Sequence, residues 1–512
     1  MLDIQIKPTK IYGDEKPTAL INGKYIHSSY DPLKEAESIL ARKDLRNTDI
    51  IFIFGLGLGY LIEKLIDKKR DIFIIGIEKN KFFKKFLQKF ENFLNVKIFI
   101  DSEVFEIIKF LHIIAPEWKN IDFIQNDILV ENDRDYYKKL REEVILYFKR
   151  RVAEITTDAY FNSIWLFNTI RNLKKIKKFS FLKDYKGHFK GKEGILISAG
   201  PLVEKYIKII SNTNIYKFAL PPAVPILLKN NIKIDFVVSS DANFYNIIHF
   251  KKFINENLNL ITEPIIHPSI LYNFRGRVIF FDHNLKVSFI LKKIIGDIGY
   301  IPMGGTVAIS AIFIAKYLGF KKLYLLGQDF NIIDLKTHCK GSGYEIYNLI
   351  NSNKFDTILN KYFKFIKEGD LINKLKMYKN WFELIYPDIG IEIENISDYK
   401  IGNLKNVERI IYFENERVGI EWRVYNLEKE LEFVLKKLKE KFLKLREEIL
   451  RIIELGDFYK VIDLLYSDAD FNNICEMLLY REFLQIRRGK IEVGKEFLEN
   501  LLEKIERFID VL

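Results

Sequence analysis

Residues 301–330 read IPMGGTVAISAIFIAKYLGFKKLYLLGQDF, and this stretch decides the fold. Gly304-Gly305-Thr306 is a turn signal, and Val307 to Leu318 is an apolar run with small residues, Ala308, Ala311 and Ala315, where a helix packs closely. Gly319 stops that helix. Leu323 to Leu326 has the pattern of a buried strand ending at Gly327, which puts Gln328-Asp329-Phe330 where the strand meets a loop. A glycine turn feeding a helix presents unpaired backbone N–H groups, and polar side chains at a strand's carboxyl end face the crevice of an open α/β sheet. The stretch therefore predicts helix, strand and the floor of a ligand site.

Two turns upstream have the same character. Ile195 to Ile197 reads as a short buried strand, and Ser198-Ala199-Gly200-Pro201 as the turn into a helix starting near Leu202. Proline in a first helical turn loses nothing, because its missing N–H would be unpaired anyway. N–H groups and the Ser198 hydroxyl at a helix N-terminus suit a phosphate. After a strand at Lys217 to Ala219 and the loop PPAVP, Phe236 to Ser239 form a strand that Ser240, Asp241 and Asn243 leave together. Ile265 to His267 and Val278 to Phe281 read as further strands. Three polar turns at three strand ends of one sheet make a crevice that no single motif would establish.

An earlier α/β unit is equally explicit. Asn22-Gly23 between apolar runs signals a hairpin, and Asp31 caps a helix over residues 31–43. Ile50 to Phe54 is a strand, Gly55-Leu56-Gly57-Leu58-Gly59 a glycine turn, Leu61 to Lys68 a helix, and Asp71 to Ile77 a strand ending in Glu78. Gly55, Gly57, Gly59 and Glu78 fit a nucleotide or S-adenosylmethionine site; they equally fit a tight turn with close packing. Val96 to Ile100 and Asp122 to Gln125 complete a Rossmann-like domain. Residues 132–178 read as a long helix. Its polar positions, including Asn162, Asn168, Arg171 and Asn172, serve helix packing or a lid over a neighbouring site. Beyond residue 400, Leu, Ile and Phe fall at heptad-like positions with charged outer faces, which predicts a helical bundle or partner-binding arm.

The resulting layout is α/β: an N-terminal hairpin plus Rossmann-like domain over 1–130, a helical linker over 131–190, a central α/β domain over 191–400 and a helical C-terminal domain over 401–512. Hydrophobic residues are 48% of the 512, charged residues 29%, and 81 basic against 69 acidic residues give +12. That excess fits a lysine-rich surface or a preference for anionic ligands. Cys339 and Cys475 offer neither metal spacing nor a disulfide framework, which points to a reducing cytoplasm. No apolar run reaches the roughly 18 residues of a membrane span, and the start lacks a signal-peptide core, so no membrane insertion is expected. His188, His249, His267 and His283 show no partner spacing. With no DxD motif and no His/Asp cluster, no metal is expected.

In order and spacing, ILISAGPLVEKYIKII (195–210), DFVVSSDAN (235–243) and GGTVAISAIFIAKYLGFKKLYLLGQDF (304–330) resemble the motility-associated factor (Maf) glycosyltransferases, whose central domain carries the DUF115 signature. That central domain is similar to bacterial sialyltransferases that use CMP-sugars. The resemblance implies transfer of a nonulosonic acid, pseudaminic or legionaminic, from a CMP donor to Ser or Thr of flagellin, for flagellar assembly and motility, with no cofactor beyond the donor and no nucleic-acid partner. On that reading Ser198, Gly200, Gly304, Gly305 and Thr306 supply donors to the phosphate and carboxylate, Asp241 and Asn243 address ribose or base, and Pro201, Ser240 and Gln328 belong to the same substrate site. His338, in LKTHCKGSGYE, becomes the general base, with Asp329 beside it; a solvated loop position describes His338 equally well. Three departures stand out: Thr306 replaces a serine, Leu202 follows Pro201 where relatives have another hydroxyl, and the family's late Asn-Ala-Ser-Glu-like segment appears only loosely, as Glu394-Asn395-Ile396-Ser397-Asp398. The same signature is found in a 6-hydroxymethyl-dihydropterin diphosphokinase, and a non-catalytic flagellin-binding assembly factor is a third reading.

Overall fold

A computed structural model describes residues 3–46, 48–67, 72–114, 120–211, 213–367, 370–408, 417–487 and 491–512. The chain divides into two compact units, Met1–Asp158 and Ala159–Leu512.

The first unit opens with an antiparallel sheet of β1 (Ile4–Thr9), β2 (Gly13–Ile21) and β3 (Lys24–Tyr25). Asn22 and Gly23 both have positive φ, +51° and +78°, as a two-residue type I′ turn requires. Asp31 accepts from the N–H groups of Leu33 and Lys34 and caps the helix Pro32–Ala41. A parallel sheet follows, made of β4 (Ile50–Phe54), β5 (Phe73–Glu78), β6 (Val96–Ile100) and β7 (Ile121–Gln125), in the order β6-β5-β4-β7. All five residues of β4 are buried, because a parallel sheet covered on both faces needs apolar side chains on both. Lys68 and Asp71, expected in the first helix and second strand, lie outside the described residues. The helix Arg134–Lys175 begins in this unit and ends in the second.

The second unit holds a nine-stranded sheet. Its strands are β8 (Ser180–Phe181), β9 (Glu193–Ile197), β10 (Tyr216–Ala219), β11 (Phe236–Ser239), β12 (Asn259–Thr262), β13 (Arg277–Phe280), β14 (Lys322–Leu326), β15 (Glu392–Ile396) and β16 (Lys405–Asn406). The order is β16-β15-β14-β9-β10-β11-β12-β13-β8, and every pairing is parallel. From β9 the chain builds outward through β13, then returns through the helix Val307–Leu318 to set β14 on the other side of β9. The reversal makes the β9–β14 junction the topological switch point, where open α/β sheets form their crevice.

That returning helix is apolar over most of its surface because most of it is buried, Ala308, Ile312 and Ala315 included, while Lys316 faces solvent. Thr306 caps its start through Ile309 N, and Gly319 ends it at φ +96°. Ile265–His267 is not a strand. Pro264 and Pro268 bracket it, and proline cannot donate to a ladder, so the strand lies upstream at Asn259–Thr262 and these residues turn into the helix Pro268–Asn273.

The carboxyl-terminal part is helical. In Glu428–Leu455 the buried residues Leu431, Leu435, Leu438, Phe442, Leu445, Ile449 and Ile452 alternate steps of four and three. Their seam meets Leu498, Leu501, Ile505 and Phe508 of the helix Lys495–Val511, with Phe442 and Phe508 ring centroids 4.8 Å apart. Among the described residues no helix is long and apolar enough to cross a membrane.

Candidate functional site

At the switch point the chain brings Ser198, Gly200, Pro201, Gln328 and Asp329 together. Ser198 leaves β9 and Gln328 leaves β14, and the Ser198 hydroxyl donates to Gln328 Oε1 at 2.7 Å. Gly200 N donates to Gly327 O at 2.9 Å. Leu202 N, at the start of the helix Val203–Ser211, donates to Asp329 Oδ2 at 2.9 Å. The Asp329 carboxylate thus occupies the anion position that the turn offered to a phosphate, and these donors serve internal partners. Gly200 is required for this approach: a Cβ there would lie 2.4 Å from both Asp329 Oδ2 and Gly327 O. Burial raises the Asp329 pKa to about 6 against the opposing pull of Leu202 N and the Ser397 hydroxyl, and its second oxygen, Oδ1, has no hydrogen-bond partner.

A second group sits at the carboxyl end of β11 and under residues 336–350. Cys339 N donates to Ala199 O at 2.8 Å, which anchors the His338 segment beside the switch-point turn. His338 stacks on Tyr344 with ring centroids 4.0 Å apart at 29°, and His249 meets the same tyrosine at 4.3 Å, edge on. Thr337 Oγ1 lies 2.9 Å from His338 Nδ1. Desolvation, then the neighbouring His249, pushes the His338 pKa down to about 3, and burial lowers His249 to about 4. Both imidazoles are therefore neutral at physiological pH, and their surroundings oppose protonation. Tyr344 remains 41% exposed; partial desolvation of its phenol, then the Asp241 charge, raises its pKa. Asp241 Oδ1 accepts from Asn243 N at 2.9 Å, Asn243 Oδ1 accepts from Tyr245 N at 3.2 Å, and Ser240 lies half-buried beside them.

His249 and Tyr344 were not among the sequence candidates. His249 lies on the short helix Ile247–Phe250, far along the chain from His338 and Tyr344, so spacing carried no signal. Gly343, next to Tyr344, permits the approach, since a Cβ there would lie 2.4 Å from His249 Nδ1.

Gly304, Gly305 and Thr306 form a third group with different neighbours. Gly305 has φ +74°, and a Cβ there would lie 2.5 Å from Trp381 Cε3. Behind the turn, His283 Nδ1 is 2.8 Å from Ile301 O, and Ser310 Oγ is 3.1 Å from His283 Nε2.

The long helix contributes clamps here. Asn168 Nδ2 donates to Ala242 O and Ile265 O, and Asn172 Nδ2 to Pro264 O and Ile266 O, all within 3.1 Å. These asparagines fix the loops after β11 and β12, which is packing and not a lid.

The glycine turn of the first unit is filled by its own chain. Glu78 Oε2 accepts from Gly57 N at 2.9 Å, and His27 Nε2 accepts from Leu58 N at 3.0 Å. A Cβ on Gly57 would lie 2.5 Å from His27 Nε2. The groups that would meet a nucleotide are bonded to protein. Burial raises Glu78 to about 7. Among the described residues no group of three or more His, Cys, Asp or Glu side chains is placed to hold a metal ion.

The sequence pattern of the family described as 6-hydroxymethylpterin diphosphokinase MptE-like matches residues 167–334, about a third of the chain. No curated protein matches the sequence. In structure the chain is similar to a Maf glycosyltransferase from Magnetospirillum magneticum AMB-1, with a TM-score of 0.56 over 99% of this chain and 91% of that one, at 14% identity. The two share a fold.

Proposed function

We propose that this protein is a glycosyltransferase that moves a nonulosonic acid, pseudaminic or legionaminic, from a CMP-sugar to Ser or Thr of flagellin in the cytoplasm. The observation that carries the reading is a fold shared over nearly the whole chain with a glycosyltransferase, with His338 and its partners gathered at the carboxyl edge of the sheet.

The chemistry asks for three things: a grip on CMP, relief of the leaving phosphate's charge, and a proton acceptor for the attacking hydroxyl. His338 is the acceptor. Within the fold its protonated form is opposed by desolvation and by His249. An anionic donor beside the pair favours the imidazolium instead, so the base strengthens when substrate is bound. Asp241 and Asn243 address ribose or base. Gly304, Gly305 and Thr306 receive the phosphate and carboxylate. The Ser198–Pro201 turn, with Gln328 and Asp329, shapes the floor through internal bonds. The reaction consumes the CMP-sugar and calls for no resident cofactor or metal.

Incubation of the full chain with CMP-pseudaminic or CMP-legionaminic acid and flagellin, read by intact mass, tests this. A mass increase that His338→Ala abolishes while CMP binding persists is the expected result; full activity in that variant removes His338 as base. The match over residues 167–334 favours a second reading, a pterin diphosphokinase. AMP release from ATP and a hydroxymethylpterin, with no sugar transfer, would establish it. Flagellin binding with neither turnover would leave an assembly factor.

A further inference from the structure

Behind the Gly304–Thr306 turn lies a buried polar chain that neither the fold nor the proposed chemistry has used. Glu263 follows β12, His283 follows β13, and Ser310 lies in the first turns of the helix Val307–Leu318; they are 2%, 9% and 3% exposed. The bonds fix the tautomer. Ile301 O can only accept, so His283 Nδ1 carries the hydrogen and donates to it at 2.8 Å. Nε2 is then the acceptor, and the Ser310 hydroxyl, 3.1 Å away, donates to it. Glu263 Oε1 accepts from His283 N at 3.3 Å, and Oε2 stands 3.8 Å from Nε2. Burial raises the Glu263 pKa well above the ordinary carboxyl range and lowers that of His283, so both side chains are pushed toward their neutral forms.

Ser, His and Glu in contact suggest a nucleophile, but the arrangement argues otherwise. The imidazole's second nitrogen goes to a backbone carbonyl, the carboxyl sits on the same side as the serine, and the hydroxyl is sealed in the core. What the chain does is mechanical. Ile301 precedes the two glycines and Ser310 follows Thr306 by one helical turn, so one imidazole ties both ends of the turn together. A turn with Gly305 at φ +74° needs such a tie, because glycine by itself has no preference for that conformation.

We infer that His283 is a positioning residue that holds the Gly304-Gly305-Thr306 turn in the shape that receives the phosphate of the cytidine donor, with Ser310 as its second anchor. The inference rests on the donor site proposed above. Ser310→Ala removes one hydroxyl and leaves the fold's volume nearly unchanged; His283→Ala removes both ties, and His283→Asn restores a donor toward Ile301 O.

Hydrogen exchange of the backbone over residues 301–310 reads the turn without any ligand, and calorimetric titration with CMP reads the site. Expected are exchange at least tenfold faster in Ser310→Ala and His283→Ala, partial recovery in His283→Asn, and CMP affinity at least tenfold weaker in His283→Ala, while exchange in the helix Glu428–Leu455 stays as in the wild type. Unchanged exchange over 301–310 in Ser310→Ala overturns the positioning role. Faster exchange with wild-type CMP affinity overturns its link to the donor. Should the wild type itself fail to bind CMP, the donor site is refuted and the exchange data still decide the role of His283.

Discussion

Replacing Asp329 with asparagine should stabilise the second unit at neutral pH and leave it unchanged in acid. The carboxyl is 6% exposed, one oxygen accepts from Leu202 N at 2.9 Å, and the other has no partner. Burial carries its pKa from 3.8 to about 6. At 1.36 kcal/mol for each pH unit, ionising it in the fold costs about 3 kcal/mol. The sign follows from proton binding. Between these two values the folded chain holds a proton that the unfolded chain has released, so the stability is fully present below about pH 4 and is lost as pH rises through 6. Asparagine keeps an oxygen for Leu202 N–H and carries no charge, so it escapes that loss. Urea unfolding of the full chain in a Trp118→Phe background leaves Trp165, Trp381 and Trp422, all in the second unit, as the fluorescent probes. In that background, the gain in unfolding free energy from Asp329→Asn should grow from near zero at pH 4 to about 1–3 kcal/mol at pH 8, the lower figure allowing for relaxation around the site. A difference that does not change with pH would refute the reasoning.

Three further outcomes follow from the glycines and the asparagine clamps. Gly200→Ala should destabilise the second unit by about 2 kcal/mol or more, since its Cβ would meet the backbone oxygen of Gly327 as well as Asp329, while Gly419→Ala, with open space around it, should stay within about 0.5 kcal/mol in the same urea titration. Gly57→Ala and Gly13→Ala share φ +55°, but only Gly57 of the two faces neighbours, His27 and Ile26, so the difference between them in thermal unfolding isolates packing from backbone strain; equal losses would show that those side chains yield. Asn172→Ala leaves the buried carbonyls of Pro264 and Ile266 without a donor and should cost about 2–4 kcal/mol in the same urea titration; a loss under about 1 kcal/mol would mean that water replaces the amide.

Periodicity and turn chemistry made the architecture legible. Runs such as Ile50–Phe54 and Leu323–Leu326 are apolar throughout because both faces of a parallel sheet are covered, and Asn22-Gly23, Asp31, Thr306 and Gly319 perform local jobs that depend on few other residues. Ile265–His267 differs from its strand reading because two isoleucines and a histidine between prolines have the composition of a strand and the hydrogen bonding of a turn. The site was less legible, since its geometry comes from distant parts of the chain. His338 lay in a motif, but its stacking on Tyr344 and the approach of His249 depend on packing between the helices Ile247–Phe250 and Gly343–Ile350. Spacing along the chain cannot report a contact of that kind.

Two strand-end turns that read as anion sites turn out to share one solution. After β4 the backbone donors meet Glu78, and after β9 they meet Asp329, each a carboxylate from the end of the neighbouring strand and each held above its ordinary pKa by burial. A helix start or glycine turn attracts an anion whether a ligand or the protein supplies it. Where the protein supplies it, the turn is a structural joint and its glycines are there for closeness. An exchangeable ligand needs groups whose bonding is not complete within the fold. At the carboxyl edge of the second unit's sheet those are the neutral imidazoles of His338 and His249 around Tyr344, and the outward-facing turn at Gly305. The transfer proposed above accordingly places its reacting centre beside the stacked rings, with the switch-point turn as floor.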